Sequence, residues 1–305
     1  MDMPKLPPLP LGEWAPAFET LHRWTQIVGK TRLSNTAMQN HWWNATLYVT
    51  ARGMTTSPIL YEGGTYEIEF DFVDHLLIVR TSSGELRSMQ LKPQSVAQFY
   101  TAYIAVLKSV GIDPKIRAIP CELPDTIPFA GDAVHAGYDA DAANRCWQIL
   151  AYTDRVFKEF RGDFLGKCSP VHFWWGAFDL ACTRFSGRRA PLHPGGIPNL
   201  PDWITREAYS HECYSCGWWP GSVGGPVAEP AFYAYAYAEP EGFAQARVAP
   251  GSAYYHTVMH EWFLPYDAVR ASKDPDDMVL SFLHSTYAAA ADLGRWDRQS
   301  LERAH

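Results

Sequence analysis

A tryptophan pair occurs at Trp42-Trp43 and again 132 positions later at Trp174-Trp175. At the same offset, without a gap, Arg23 aligns with Arg155, Leu33 with Leu165, Ala45 with Ala177 and Arg52 with Arg184. Further on the offset is 183, aligning Val96 with Val279, Phe99 with Phe282, Ala105 with Ala288 and Gly111 with Gly294. A chain that repeats one unit has to fold as two similar halves, each burying its own apolar faces. The growth in offset gives the second half an insertion of about 51 residues. Function is expected where the halves differ.

Hydrophobic spacing fills in each half. Trp14, Phe18, Leu21, Trp24 and Val28 recur at helical intervals, as do Trp147, Leu150, Val156 and Phe160 between Ala142 and Phe160. Apolar runs rich in strand formers follow each helix, at 42–51 and 171–183. Tyr66 to Phe72 alternates apolar with acidic residues, so one face is core and Glu67, Glu69 and Asp71 form a wet face. A hairpin is expected at 76–80 and 86–91, and helices at 95–110 and 275–293, the last started by Asp274 or Asp276. Tyr233, Tyr235 and Tyr237 share one face of a strand at 232–238. The fold class is α+β: two similar helix–antiparallel strands–helix halves at 11–118 and 141–296. A Pro-rich linker joins them at 119–140, and the insertion spans about 185–231.

At 305 residues, with 47% apolar and 19% charged side chains, the chain can bury a large core. A formal charge of −7 gives no electrostatic reason to bind nucleic acid or an anionic membrane. No apolar run is long enough for a membrane span, and Met1 to Pro10 lacks the basic and apolar regions of a secretory signal, so a cytoplasmic location is the expectation. Six scattered cysteines read as reduced thiols.

Candidate chemistry clusters in the second half. His172 stands where the first half has Asn40, and Asp179 where it has Leu47. The insertion adds His193, His211 and Glu212. His172, His193, His211 and Glu212 could together ligate a divalent metal, zinc or ferrous iron, although no HExxH spacing is present. The plainer alternative is that these histidines cap loops or donate to carbonyls. Cys213 and Cys216 have CxxC spacing without a second pair, and Cys168 beside Lys167 is a weaker candidate thiolate. Arg52 and Arg184 are expected to play one structural role in both halves. Both repeated tryptophan pairs are expected in the core or between the halves. Trp203, Tyr209, Trp218, Trp219 and Tyr235 are the candidate substrate contacts, lining an aromatic pocket. No nucleophile elbow, phosphate loop or dinucleotide fingerprint is present.

Several stretches together resemble an uncharacterised bacterial family catalogued as domain of unknown function 5996. They include Leu21 to Lys30, His41-Trp42-Trp43-Asn44, Tyr48 to Gly53, Glu67 to Phe72, Gly166 to Phe173, Tyr209 to Glu212 and Phe232 to Tyr235. The resemblance spans almost the whole chain and implies one soluble unit, with no activity to carry over. The leading expectation is therefore a small-molecule enzyme in which His172, His211 and Glu212 supply acid–base or metal-ligand groups. A metal-assisted route would make it a hydrolase or oxygenase. The alternatives are a non-catalytic protein that binds an apolar or sugar-like molecule, and a self-associating scaffold. The sequence carries no signal for oligomeric state.

Overall fold

The computed structural model describes residues 5–303. The first half runs α1 (Leu11–Asn35), β1 (Tyr48–Val49), β2 (Gly53–Thr55), β3 (Ile59–Tyr61), β4 (Gly64–Asp71), β5 (Leu76–Thr81), β6 (Leu86–Gln90) and α2 (Val96–Lys108). The second continues with α3 (Ala140–Gly162), β7 (His172–Trp174), β8 (Asp179–Arg189), α4 (Asp202–Ala208), β9 (His211–Trp219) and β10 (Ala231–Tyr237). It ends with β11 (Tyr254–His256), β12 (Glu261–Pro265), α5 (Tyr266–Ala271), α6 (Pro275–Leu293) and α7 (Arg298–Leu301). The fold is α+β, and the order helix, antiparallel sheet, helix occurs twice. Among the described residues no helix is long and apolar enough to cross a membrane.

The first sheet has the order β1-β2-β4-β5-β6, with β3 also beside β4; the second has the order β11-β12-β10-β9-β8-β7. Leu47 and Phe173 join the two by a pair of backbone hydrogen bonds of 3.0 and 2.9 Å. Of the repeated tryptophans, Trp175 is buried at this seam, whereas Trp42, Trp43 and Trp174 are partly buried and line a cavity rather than the core. Trp175 donates from Nε1 to the Ala45 carbonyl at 2.6 Å.

Helix α1 is the central element, buried on all sides from Thr20 to Arg32. Trp24 is fully enclosed and stacks on Phe99 at 4.5 Å and 9°. A continuous core from both halves surrounds it. Caps fix the other long helices: Ser95 and Gln98 form a capping box on α2, Asp139 caps α3, and Asp274 caps α6 with Pro275 just inside.

Three local expectations need correction. The run 42–51 is mostly irregular, because Asn40–Trp42 forms a tight turn with His41 and Trp42 at φ 58° and 63°; only Tyr48–Val49 pairs as strand. The run 171–183 breaks at Phe178, φ 60°, into the hairpin β7–β8. Arg52 and Arg184 do not share a role. Arg52 is half-exposed and pairs with Asp71 and Asp74 at 2.6 Å each. Arg184 is fully buried, its guanidinium 3.5 Å from the Phe160 ring centre and 4.4 Å from that of Tyr287.

Truncating Trp24 empties the centre of this core. Trp24→Ala is expected to cost about 3–5 kcal/mol of unfolding free energy, measured by urea denaturation. A loss under about 1 kcal/mol would mean that α1 is not the packing centre.

Candidate functional site

The second sheet has two different faces. On β9, Tyr214, Cys216 and Trp218 pack into the main core, while Cys213, Ser215 and Trp219 line a cavity. Strand alternation separates β8 in the same way. Asp179, Ala181, Thr183 and Phe185 face the cavity, with Leu180, Cys182 and Arg184 behind them. Tyr233 and Tyr235 of β10 and Glu261 of β12 complete the floor. Phe18 and His22 of α1, the His41–Trp43 turn, Glu122 to Asp125 of the linker, and Ile197 to Tyr209 of the insertion form the opposite walls. The cavity, open on one side, has a volume of about 730 Å³, the size of a small-molecule site.

The segment from Pro198 to Ala208 is fastened across this space. Trp42 donates from Nε1 to Ile204 O at 3.1 Å, His41 donates from Nδ1 to Ala208 O at 2.8 Å, and Glu122 N donates to Pro198 O at 3.1 Å. Asn199 Nδ2 reaches Leu123 O at 2.6 Å. His41, Trp42 and Glu122 all hold left-handed backbone conformations, with φ between 58° and 63°. Such conformations cost energy in non-glycine residues and collect at functional sites.

Three carboxyl groups set the chemistry. Asp179 is 7% exposed and accepts a short hydrogen bond from the Tyr233 hydroxyl. Burial pushes its pKa up to about 7. Burial and then repulsion from Asp179 raise Glu122 to about 7 and Glu261 to about 8. Two glycines make room for this arrangement. A β-carbon at Gly217 would lie 2.3 Å from the Tyr233 hydroxyl, and one at Gly176 would lie 1.9 Å from Glu122 Oε1. His22 serves a different purpose: Nε2 donates to Gly176 O at 2.8 Å and Trp175 O at 3.1 Å, and burial lowers its pKa to about 4. It is a neutral donor that ties α1 to the β7–β8 turn.

Of the aromatic residues expected from sequence to contact substrate, Tyr209, Trp219 and Tyr235 line the cavity, and the Tyr209 and Tyr235 hydroxyls share a 2.7 Å hydrogen bond. Trp218 does not, because its strand position turns it into the core. Trp203 is 60% exposed and packs on the outside against Trp42, 5.2 Å between ring centres.

The four proposed metal ligands do not converge. His211 and Glu212 are neighbours on β9, so their side chains leave opposite faces of the sheet. His211 lies edge-on to His41, while Glu212 pairs with Arg188 at 2.6 Å. His172 is sealed beneath Trp43, Tyr48 and Trp174, bonded through Nδ1 to Thr46 Oγ1 at 2.8 Å, with its pKa lowered by burial to about 3. His193 stacks behind Tyr209 at 4.7 Å. Among the described residues no three His, Cys, Asp or Glu side chains are grouped to hold a metal ion. The same alternation separates Cys213 from Cys216, and burial pushes both thiols up to about 12. Cys168 lies 3.6 Å from Cys182, sulfur to sulfur, both as free thiols.

Glu122 and Glu261 carried no sequence signal strong enough to nominate them, whereas Tyr233 shared its strand face with Tyr235 and Tyr237 as a candidate ring for a ligand. Asp179 carried one: it is a carboxylate inside the apolar stretch Ala177-Phe178-Asp179-Leu180-Ala181, where the first half has leucine.

A model of the family of unknown function DUF5996 matches residues 6–303, and the chain belongs to that family. No curated protein and no solved structure matches it.

The carboxyl pKa values carry a signed consequence. Each lies above its value in an unfolded chain, about 4, so the stability these groups contribute is complete below that pH and is lost as pH rises through 7 to 8. The neutral histidines His22 and His172 act in the opposite sense, losing stability as pH falls below 6.5. Asp179→Asn is therefore expected to stabilise the protein by about 1–3 kcal/mol at about pH 9 and by far less at about pH 5. Urea unfolding of both proteins at both pH values measures this. An equal effect at the two would contradict a buried, titrating Asp179.

Proposed function

We propose that this member of the family is an enzyme that transfers protons on a partly apolar small molecule held in the aromatic cavity. The observation that carries the reading is a set of carboxyl groups enclosed with tyrosines and tryptophans, whose pKa values burial has moved to about 7 and about 8. Groups in that range exchange protons efficiently near neutral pH, and retaining them costs stability that a purely structural site has no reason to lose. Asp179, the more acidic of the two, is the base, oriented by the Tyr233 hydroxyl. Glu261 is the acid. Asp179 takes a proton from the substrate and Glu261 returns one to the atom where negative charge develops, so the pair keeps its total proton count. Trp219 and Tyr235 hold the apolar portion by area burial. The same reading takes the two helix–sheet–helix halves as copies of one ancestral unit, of which the second gained the insertion that walls the cavity.

Incubating the protein with a metabolite extract and following its components by mass spectrometry tests the reading. Wild type is expected to consume at least one compound, fastest near pH 7 to 8. Asp179→Asn and Glu261→Gln are each expected to slow that turnover by about 10²–10⁴-fold. A compound that stays with wild type through gel filtration but is never altered would make the protein a binder without catalysis.

A further inference from the structure

Charge in the cavity is one-sided. Asp179, Glu122 and Glu261 reach its floor, and among the described residues none has a Lys, Arg or His nitrogen within ion-pairing distance. Arg23, the one permanent cation in the lining, is already bound to Asp125 and lies 3.5 Å from Asp132. Lys30 acts on Glu122 only through its charge, and its Nζ rests 3.6 Å from Cys121 Sγ. Tyr233 and Tyr235 face Asp179 and Glu261 without charge. At the far end, His41 has both ring nitrogens engaged, one by Ala208 O and the other by Lys167 at 2.6 Å.

A buried carboxylate without a cation is expensive, and the cavity offers two ways to relieve that cost: protonation or a cationic guest. The walls favour a guest. Trp174, Trp219 and Tyr235 present rings that attract cations and cover apolar groups. A second, independent observation lies on α4. Thr205 lines the cavity, is 2% exposed, and its Oγ1 has no hydrogen-bond partner. A buried hydroxyl left without a partner is a polar cost that the fold carries at this wall.

We propose that the cavity binds a protonated amine carrying an apolar group, its N–H donors directed at Asp179 and Glu261 and its apolar part against Trp219 and Tyr235. This rests on the cavity being the functional site, and it adds the chemical class of the substrate. Carboxylates and phenol oxygens accept N–H hydrogen bonds, so an ammonium with protons suits them better than a quaternary one. An anion would meet three carboxyl groups, and among the described lining residues Arg23 and His135 are already paired with Asp125 and Asp132. Binding the ammonium requires Asp179 ionised, while Glu261 keeps its acid proton and accepts through its carbonyl oxygen, so binding should release a proton and strengthen as pH rises through the range in which Asp179 titrates.

Calorimetric titration of the full chain with benzylamine, benzyl alcohol and benzoate compares one ring carrying positive, neutral and negative groups. Benzylamine is expected to bind at least about tenfold more tightly than either analogue at about pH 8, and about tenfold more weakly at about pH 6 than at about pH 8. Asp179→Asn and Glu261→Gln should each remove most of that preference while leaving benzyl alcohol unaffected. If one variant does not fold, the other and the wild-type pH comparison decide. Benzyl alcohol or benzoate binding as tightly as benzylamine, in competition with it, would overturn the amine assignment and leave the cavity as the site. Absence of any benzylamine binding would also overturn it, and the proton-transfer reading would then rest on the metabolite experiment alone.

Discussion

Helix α1 is enclosed on every side, and most of the molecule is arranged around that constraint. A helix buried all round cannot leave its polar side chains to water, so they turn to its own carbonyls, as Thr20 and Thr25 do, or to neighbouring elements. Gln26 both donates to the Cys121 carbonyl at 2.8 Å and accepts from its amide at 3.0 Å, which holds the linker against the helix. Thr31 accepts from the Tyr103 hydroxyl at 2.7 Å, fixing α2. Arg23 gathers Asp125 and Asp132, and His22 captures the β7–β8 turn. One helix thus sets the relative positions of the first sheet, the linker and the second sheet. The cavity is the space those positions leave.

That space persists because the second sheet divides its labour by strand alternation. One face joins the main core with α3 and α6; the other carries a smaller apolar cluster around Tyr233 and Phe263, with Trp174, Trp219 and Tyr235 beside it. On the second face the usual preference for apolar residues gives way to two carboxyl groups, Asp179 and Glu261, with Glu122 of the linker on the opposite wall. Their raised pKa values and the left-handed backbone at His41, Trp42 and Glu122 are both costs borne by the folded state. The main core, with Trp24, Phe99 and the aromatic cage around Arg184, supplies the stability that tolerates them.

Much of the architecture was readable from periodicity. The alternation of Tyr66, Ile68 and Phe70 against Glu67 and Glu69 gave a strand with one buried face, and Asp274 with Pro275 marked the start of α6. Of the stretch 185–231 singled out from the sequence, residues between Ile197 and Tyr209 wall the cavity. Periodicity also misled where the backbone reverses. Nothing in the composition of Trp42 to Ala51 shows that His41 and Trp42 adopt left-handed angles that stop a strand before it begins. Strand alternation, which the chain order alone could have supplied, separates His211 from Glu212 and Trp218 from Trp219, but only once the strand is placed at Trp219 and back to His211.

The sequence by itself determined the α+β class, the order of helices and antiparallel strands, the aromatic richness of the second half and the oddity of Asp179 within an apolar strand. These depend on spacing and residue type between near neighbours, and both are local quantities. The tertiary structure alone decided that Glu122, Asp179 and Glu261 share one cavity. They lie on a linker and on two strands that are not neighbours in the sheet, and their proximity follows from how the sheet closes against α1. Their altered acidity is likewise a property of burial, which no residue possesses until distant parts of the chain have covered it.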